Sequence, residues 1–411
     1  MTAIASEQNA RAVAEAAARV SYGRLVALLA SHTRDIANAE DALSDAFAAA
    51  LSTWPQRGVP TNPEAWLFTA ARRNLSHGFR HQRVVSLAEE DLLRRVEERV
   101  NAAWSAGSDE RLNLLFVCAH PAIDEQIRTP LMLQTVLGLD AQAIAAAFLV
   151  APATMGQRLV RAKTKIRDAG VPFQVPEPAE LPERLHDVLR AIYVAFGAGW
   201  DDLASGRGLA EEAIFLGRTM VALLPYEPEA KGLLALMLYC HARRDARRGP
   251  DGAFIPLAQQ DPARWHRASI VEAEQLLTAA AAAQRFGRFQ CEAAIQSVHA
   301  QRAITGVLQH HAVLALYDLL LAHAPSVGAA VARAAALLDA ADPAAAARAL
   351  DALPSSDVAN YQPFWVTRAR LAEHRGLNAD AIQYTERALA LSDEPQVRAF
   401  LLTRLSALRS L

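Results

Sequence analysis

The stretch Gly138 to Ala169, GLDAQAIAAAFLVAPATMGQRLVRAKTKIRDA, decides how the rest of the chain is read. Asp140 is placed to cap a short first helix, Ala141 to Phe148, whose alanines and Ile144 favour helix and close packing. Leu149-Val150-Ala151 makes a turn. Pro152 then stands at a helix start, where its missing N–H would be unpaired anyway. The second helix runs from about Ala153 to Asp168. Met155, Leu159, Ala162 and Ile166 fall at i, i+4, i+7 and i+11, which predicts a buried stripe. Thr154, Arg158, Arg161 and Lys165 repeat that spacing on another face, flanked by Gln157. Five Lys/Arg and no acids lie between Met155 and Arg167. Such a helix-turn-helix fits the DNA major groove, with early residues at base edges and later cations at phosphates. A plain amphipathic helix with a solvated basic face shares the local pattern, so the surrounding sequence must separate the two.

At 411 residues the chain is long for one domain, and about two or three are expected. With 52% hydrophobic and 21% charged residues it is globular. Abundant alanine and few β-branched runs point to an all-α fold. The net charge of −2 confines any nucleic-acid binding to local patches. Cys118, Cys240 and Cys291 are far apart and form no CxxC pair, which fits buried apolar roles in a reducing cytoplasm. No signal peptide or bilayer-length apolar run is read, so a cytoplasmic protein without membrane contact is expected.

Upstream, residues 1–9 read as frayed, followed by helices over about 10–31 and 34–53. The second carries Ala39, Leu43, Phe47 and Ala50 on one face and Glu40, Asp41, Ser44 and Asp45 on another. A Pro/Gly loop, Pro55 to Pro63, precedes a helix from Glu64 to about Arg80 with an inner stripe of Leu67, Ala71, Leu75 and Gly78. From Arg72 to Arg83 there are four arginines, two histidines and no acids, a second basic patch. Residues 84–110 reverse the sign: seven acids against three arginines, which suits a linker or an acidic surface helix. Helices over Asp109–His120 and Gln126–Leu137 lead into the basic stretch. The Pro-rich VPFQVPEPAELPE, 171–183, marks the clearest boundary. Beyond it the pattern is helical to Leu411, broken by a turn-rich loop over 243–265. Trp365, Ala369, Gly376, Ala381, Ala388 and Pro395 match the small-residue spacing of a tetratricopeptide repeat, with a degenerate copy over about 328–354.

Two basic helical patches separated by an acidic segment resemble the layout of a bacterial sigma factor. Ala39-Glu40-Asp41-Ala42-Leu43 with Asp45-Ala46-Phe47 is similar to the helix by which sigma region 2 grips core RNA polymerase. Pro63-Glu64-Ala65-Trp66-Leu67 and Ala71-Arg72-Arg73-Asn74 resemble the end of region 2 in extracytoplasmic-function (sigma-70 family, group 4) factors. Phe116-Val117-Cys118-Ala119-His120-Pro121-Ala122, and Ala153 to Arg167, resemble region 4 of a subgroup with a tetratricopeptide-like C-terminal extension. Ala119, where relatives have a cysteine, and Ser76-His77-Gly78 depart from the pattern.

The resemblance implies region 2 over 10–83, an acidic linker over 84–108, region 4 over 109–173 and a helical extension over 180–411. It implies core RNA polymerase and promoter DNA as partners, with polymerase contact at Glu40, Asp41, Ser44 and Asp45. Upstream promoter contact falls to Thr154, Gln157, Arg158 and Arg161 near bases, and to Lys163, Lys165 and Arg167 at phosphates. Downstream, melted DNA would meet Arg73, Asn74, His77, Arg80 and His81, with the loop Arg57 to Asn62 shaping a pocket. Trp66 there either stacks on a base or packs inward. The extension would regulate the sigma regions, through intramolecular contact with them or by adding polymerase contacts.

A stand-alone helix-turn-helix regulator with a sensing repeat domain explains the basic helix and the tail, but not the region 2 motifs or the acidic segment. An enzyme is disfavoured: the chain has no phosphate-binding Gly-rich loop, no HExxH and no GxSxG. His299, His310, His311 and His323 lack acidic or cysteine partners, so neither metal nor cofactor is expected.

Overall fold

The computed structural model describes residues 2–80, 110–148, 150–177, 179–201, 209–250, 252–392 and 394–410. The acidic segment 84–108 and His81 lie outside these. The fold is all-α; among the described residues the one extended feature is an isolated bridge between Arg248 and Phe254. Two compact units divide the chain, Met1–Thr219 and Met220–Leu411.

The first unit opens with three mutually packed helices, α1 (Thr2–Thr33), α2 (Ile36–Arg57) and α3 (Pro63–Arg80). The helix begins at Thr2, where fraying to residue 9 was expected; Ala, Glu and Gln there are good helix formers. Arg34, at positive φ, turns the chain, and Asp35 caps α2 by accepting from the Asn38 amide at 3.1 Å. The second helix continues through Pro55 to Arg57, so the loop is shorter than the Pro/Gly content suggests. Leu67, Ala71 and Leu75 are buried as the period predicts. On α2 Ala39, Leu43 and Ala50 are buried with Ala46, while Phe47 is only half-buried.

Helices α4 (Arg111–Cys118), α5 (Glu125–Thr135), α6 (Ala141–Ala147) and α7 (Pro152–Asp168) follow. Asp124 accepts from the Gln126 amide at 2.9 Å and Asp140 from Ala143 at 2.7 Å, so both helices start on a capping carboxylate. Met155, Leu159, Ala162 and Ile166 of α7 are all buried. After the Pro-rich segment, α8 (Leu181–Asp201) returns to pack on α5 and α4. Arg128 of α5 donates to Asp187 of α8 at 2.8 Å and to the Ile123 carbonyl at 3.0 Å, and both charged side chains are buried. Arg111 pairs with Glu212 of α9 (Leu209–Leu223) and lies over the Phe215 ring, 5.0 Å from its centroid.

The second unit centres on α10 (Pro228–Ala242), which packs on α11 (Arg267–Ala281) and α12 (Arg288–Thr305). Gly232 lets the α12 backbone come close: a β-carbon there would stand 2.7 Å from the Gln290 nitrogen. Short 3-10 turns fill the expected loop over 243–265. Seven more helices follow: α13 (His310–His323), α14 (Val327–Asp339), α15 (Pro343–Asp351), α16 (Ser355–Val358), α17 (Gln362–His374), α18 (Asn378–Ala390) and α19 (Pro395–Arg409). The α17–α18 hairpin turns at Gly376, φ +71°, and buries Ala369, Ala381 and Ala388. None of the described helices is long and apolar enough to cross a membrane.

Candidate functional site

The basic face of α7 is split by the fold. Thr154, Gln157, Arg158, Arg161 and Lys165 are exposed. Arg158, Arg161 and Lys165 share the wall of a cavity of about 330 Å³ with Asp124 and Ile127 of the neighbouring α5 segment. Three cations on one open face attract phosphate, and Thr154 and Gln157 beside them supply hydrogen-bonding groups suited to base edges.

The other edge of α7 faces α2. Lys163 is buried, its Nζ 2.5 Å from Glu40 Oε2. Arg167, one turn on, stands 3.8 Å from Asp35 and 2.9 Å from Asp168. Burial pushes the Glu40 carboxyl above the usual carboxylate range, against the pull of Lys163. Its second oxygen, Oε1, is buried without a hydrogen-bond partner. Burial, and the charges of Glu40 and Asp41, also raise the Tyr22 phenol. The Cys118 thiol is pushed up to about 12 by burial, which suits the inert apolar role expected of it.

Of the four polymerase-contact candidates on α2, then, Glu40 is turned into the α7 contact, while Asp41, Ser44 and Asp45 are exposed. On α3, Arg73 is exposed and Asn74 is half-buried, donating to the Ala42 carbonyl at 3.4 Å. His77 and Arg80 fall in the last turns of α3. Trp66 meets Trp54 edge-on, with centroids 5.5 Å apart, so its ring is engaged in packing. In the loop before it, Asn62 accepts from the Ala65 amide at 3.0 Å.

Sequence reasoning missed three groups in this unit: Arg111, Arg128 with Asp187, and the burial of Lys163. Arg128 follows Ile127 and precedes Leu131 on a buried helix, and a charge in such a setting demands a partner. The partner lies 59 residues on, beyond any local spacing rule. Lys163 sits four residues after Leu159 and three before Ile166, at the margin of the buried stripe.

Comparison with known proteins accords with this geometry. Residues 19–84, covering α2, α3 and much of α1, match the family model for sigma-70 region 2. Residues 184–281 match a family of unknown function, DUF6596. The chain is 34% identical over 390 residues to an uncharacterized protein of Rhizobium meliloti (strain 1021), spanning 92% of each. No solved structure matches the chain. Residues 19–84 are thus similar to region 2 of the sigma-70 family. Over nearly its whole length it belongs to one family with the Rhizobium protein.

Proposed function

We propose that this chain is a sigma factor of the extracytoplasmic-function class and directs core RNA polymerase to its promoters by a two-point grip. The outer edge of α2, with Asp41, Ser44 and Asp45, meets polymerase. The α6–α7 pair acts as the helix-turn-helix of region 4, entering the major groove of the upstream element. Thr154, Gln157, Arg158 and Arg161 reach bases, and Lys165 and Arg167 reach phosphates; Lys163 joins them once released from Glu40. Arg73, with Asn74, His77, Arg80 and His81, holds the melted downstream strand. The chain performs no chemistry of its own in this scheme. The helical region after the Pro-rich segment regulates the sigma regions.

One observation carries the reading: a helix with Thr154, Gln157, Arg158, Arg161 and Lys165 exposed stands in the same compact unit as sigma-70 region 2. Binding of the full chain to purified core polymerase, followed by gel filtration and then by promoter-dependent retention of DNA, tests it. The expected result is a stable complex that retains promoter DNA, with weak duplex binding by the free chain. Tight, polymerase-independent binding to duplex DNA would instead favour the stand-alone regulator.

A further inference from the structure

The second unit holds a cavity that takes no part in the proposed promoter contacts. On α11, Arg267, Val271 and Glu274 fall at i, i+4 and i+7 and so share one face. On α12, Ala300, Ala303 and Ile304 do the same at i, i+3 and i+4. The two faces line a cleft of about 760 Å³, within the size range of small-molecule sites. Small side chains keep it open: Ala300 and Ala303 stand where larger residues would fill the space. The 3-10 turn Pro262–Arg264 adds a third wall and delivers Trp265 to it.

The walls combine apolar surface with hydrogen-bond donors that lack acceptors. Val271 and Ile304 are 47% and 88% exposed, apolar surface that the fold leaves to solvent. Trp265 is buried and held in place: the Arg302 guanidinium lies 5.4 Å from its ring centroid. Arg302 is tied in turn to the Leu257 and Ala258 carbonyls at 2.9 and 3.2 Å. The Trp265 Nε1 is buried with no acceptor among the described residues. An indole N–H can only donate, so this wall lacks a partner bearing an oxygen. Arg267, exposed beside it, has no ion-pair partner among the described residues, and its guanidinium is also donor-only and always charged. Glu274 contributes the opposite sign, oriented by the Ser297 hydroxyl, which donates to its Oε1 at 2.6 Å. A ligand with one anionic group gains at Arg267, whereas a second such group would meet the like charge of Glu274.

We propose that the cleft between α11 and α12 binds a small amphipathic monoacid. Its anionic head pairs with Arg267, an oxygen takes the Trp265 N–H, and its apolar body covers Val271, Ala303 and Ile304. The site lies wholly in the second unit and uses no residue of the proposed DNA or polymerase contacts.

The test follows the emission of anilinonaphthalene sulfonate, an aromatic body with a single anionic group, as it is titrated onto the full chain. Octanoate is then added as competitor, with octanol as its neutral counterpart. A saturable site is expected, cleared by octanoate at far lower concentration than by octanol. Arg267→Ala is expected to weaken the probe about tenfold through loss of a charge-assisted contact. Ala303→Trp is expected to abolish the site by filling it. Both positions are exposed, so circular dichroism should show unchanged helical content. Arg348→Ala, which removes an exposed cation of α15 that does not line the cleft, should bind as wild type does. Undiminished binding in either cleft variant would overturn the proposal. So would an equal loss in Arg348→Ala, or octanol competing as well as octanoate.

Discussion

Two of the ion pairs that join distant parts of the first unit, Arg128–Asp187 and Glu40–Lys163, are built differently. Arg128 meets Asp187 and also a backbone carbonyl, so its guanidinium has more than one acceptor inside the fold. Among the described residues Glu40 meets Lys163 alone, and its other oxygen has no partner. The first resembles a permanent clasp of α8 onto α5, the second a looser tie of α7 to α2. An Arg fork holds several acceptors in fixed geometry, whereas a Lys ammonium is a point charge on a flexible stem that surrenders its partner more readily. The stable pair therefore sits where the unit must stay folded, and the weaker one where the proposed function frees Lys163 for DNA.

Breaking the clasp should have the largest effect. Asp187→Ala strands a buried guanidinium and is expected to lower the denaturant stability of the first unit by about 3–5 kcal/mol. Replacing both partners, Arg128→Met with Asp187→Leu, should recover most of that loss. Lys163→Gln should cost much less, because its contact is the less completely satisfied. Equal losses from Asp187→Ala and Lys163→Gln would erase the distinction.

The second unit holds a half-buried titratable group in a third way, with no acidic hydrogen-bond partner among the described residues. His299 of α12 is held neutral, its pKa lowered to about 4 by burial and then by Arg243 and Arg302, against a weaker opposing pull from Asp339. The unfolded chain takes up that proton near pH 6.5, the folded one only near 4. The stability contribution is thus complete above pH 6.5 and is lost as pH falls towards 4, about 3 kcal/mol in all. Urea unfolding between pH 7.5 and 4.5 should show that slope, and His299→Gln should flatten it.

Smaller effects probe the exposed edge of α7 against its paired edge. Arg158→Ala is expected to lose roughly 1–3 kcal/mol of discrimination between the preferred and a mismatched upstream element, measured by competition with the polymerase complex. Arg167→Ala should weaken binding to all sequences alike and reduce its salt dependence. Asp140→Ala removes the cap of α6 and should cost about 1 kcal/mol of stability.

Much of this architecture was legible in local pattern. The buried stripe of α7, the cap at Asp140 and the inner face of α3 follow from helical period and end chemistry, which act over one or two turns. The split of the basic face did not follow. Glu40 lies 123 residues before Lys163, and periodicity carries no information at that range. Nor does a lone Gly23 inside a helix announce that a carbonyl from another helix presses on it. Residue types and faces were readable, while the partners chosen across the fold were set by tertiary packing. Pro55 misled for a related reason: α2 carries it in its last turn, so the proline did not end the helix where the loop was expected.

The central claim is that this chain confers promoter-specific initiation on core RNA polymerase. Run-off transcription over a library of genomic fragments, with purified full-length chain and core enzyme, tests it most directly. The account predicts initiation from a limited set of fragments sharing an upstream and a downstream element, and its loss in the Arg158→Ala/Arg161→Ala double variant. No initiation from any fragment, or initiation indifferent to that double substitution, would contradict it.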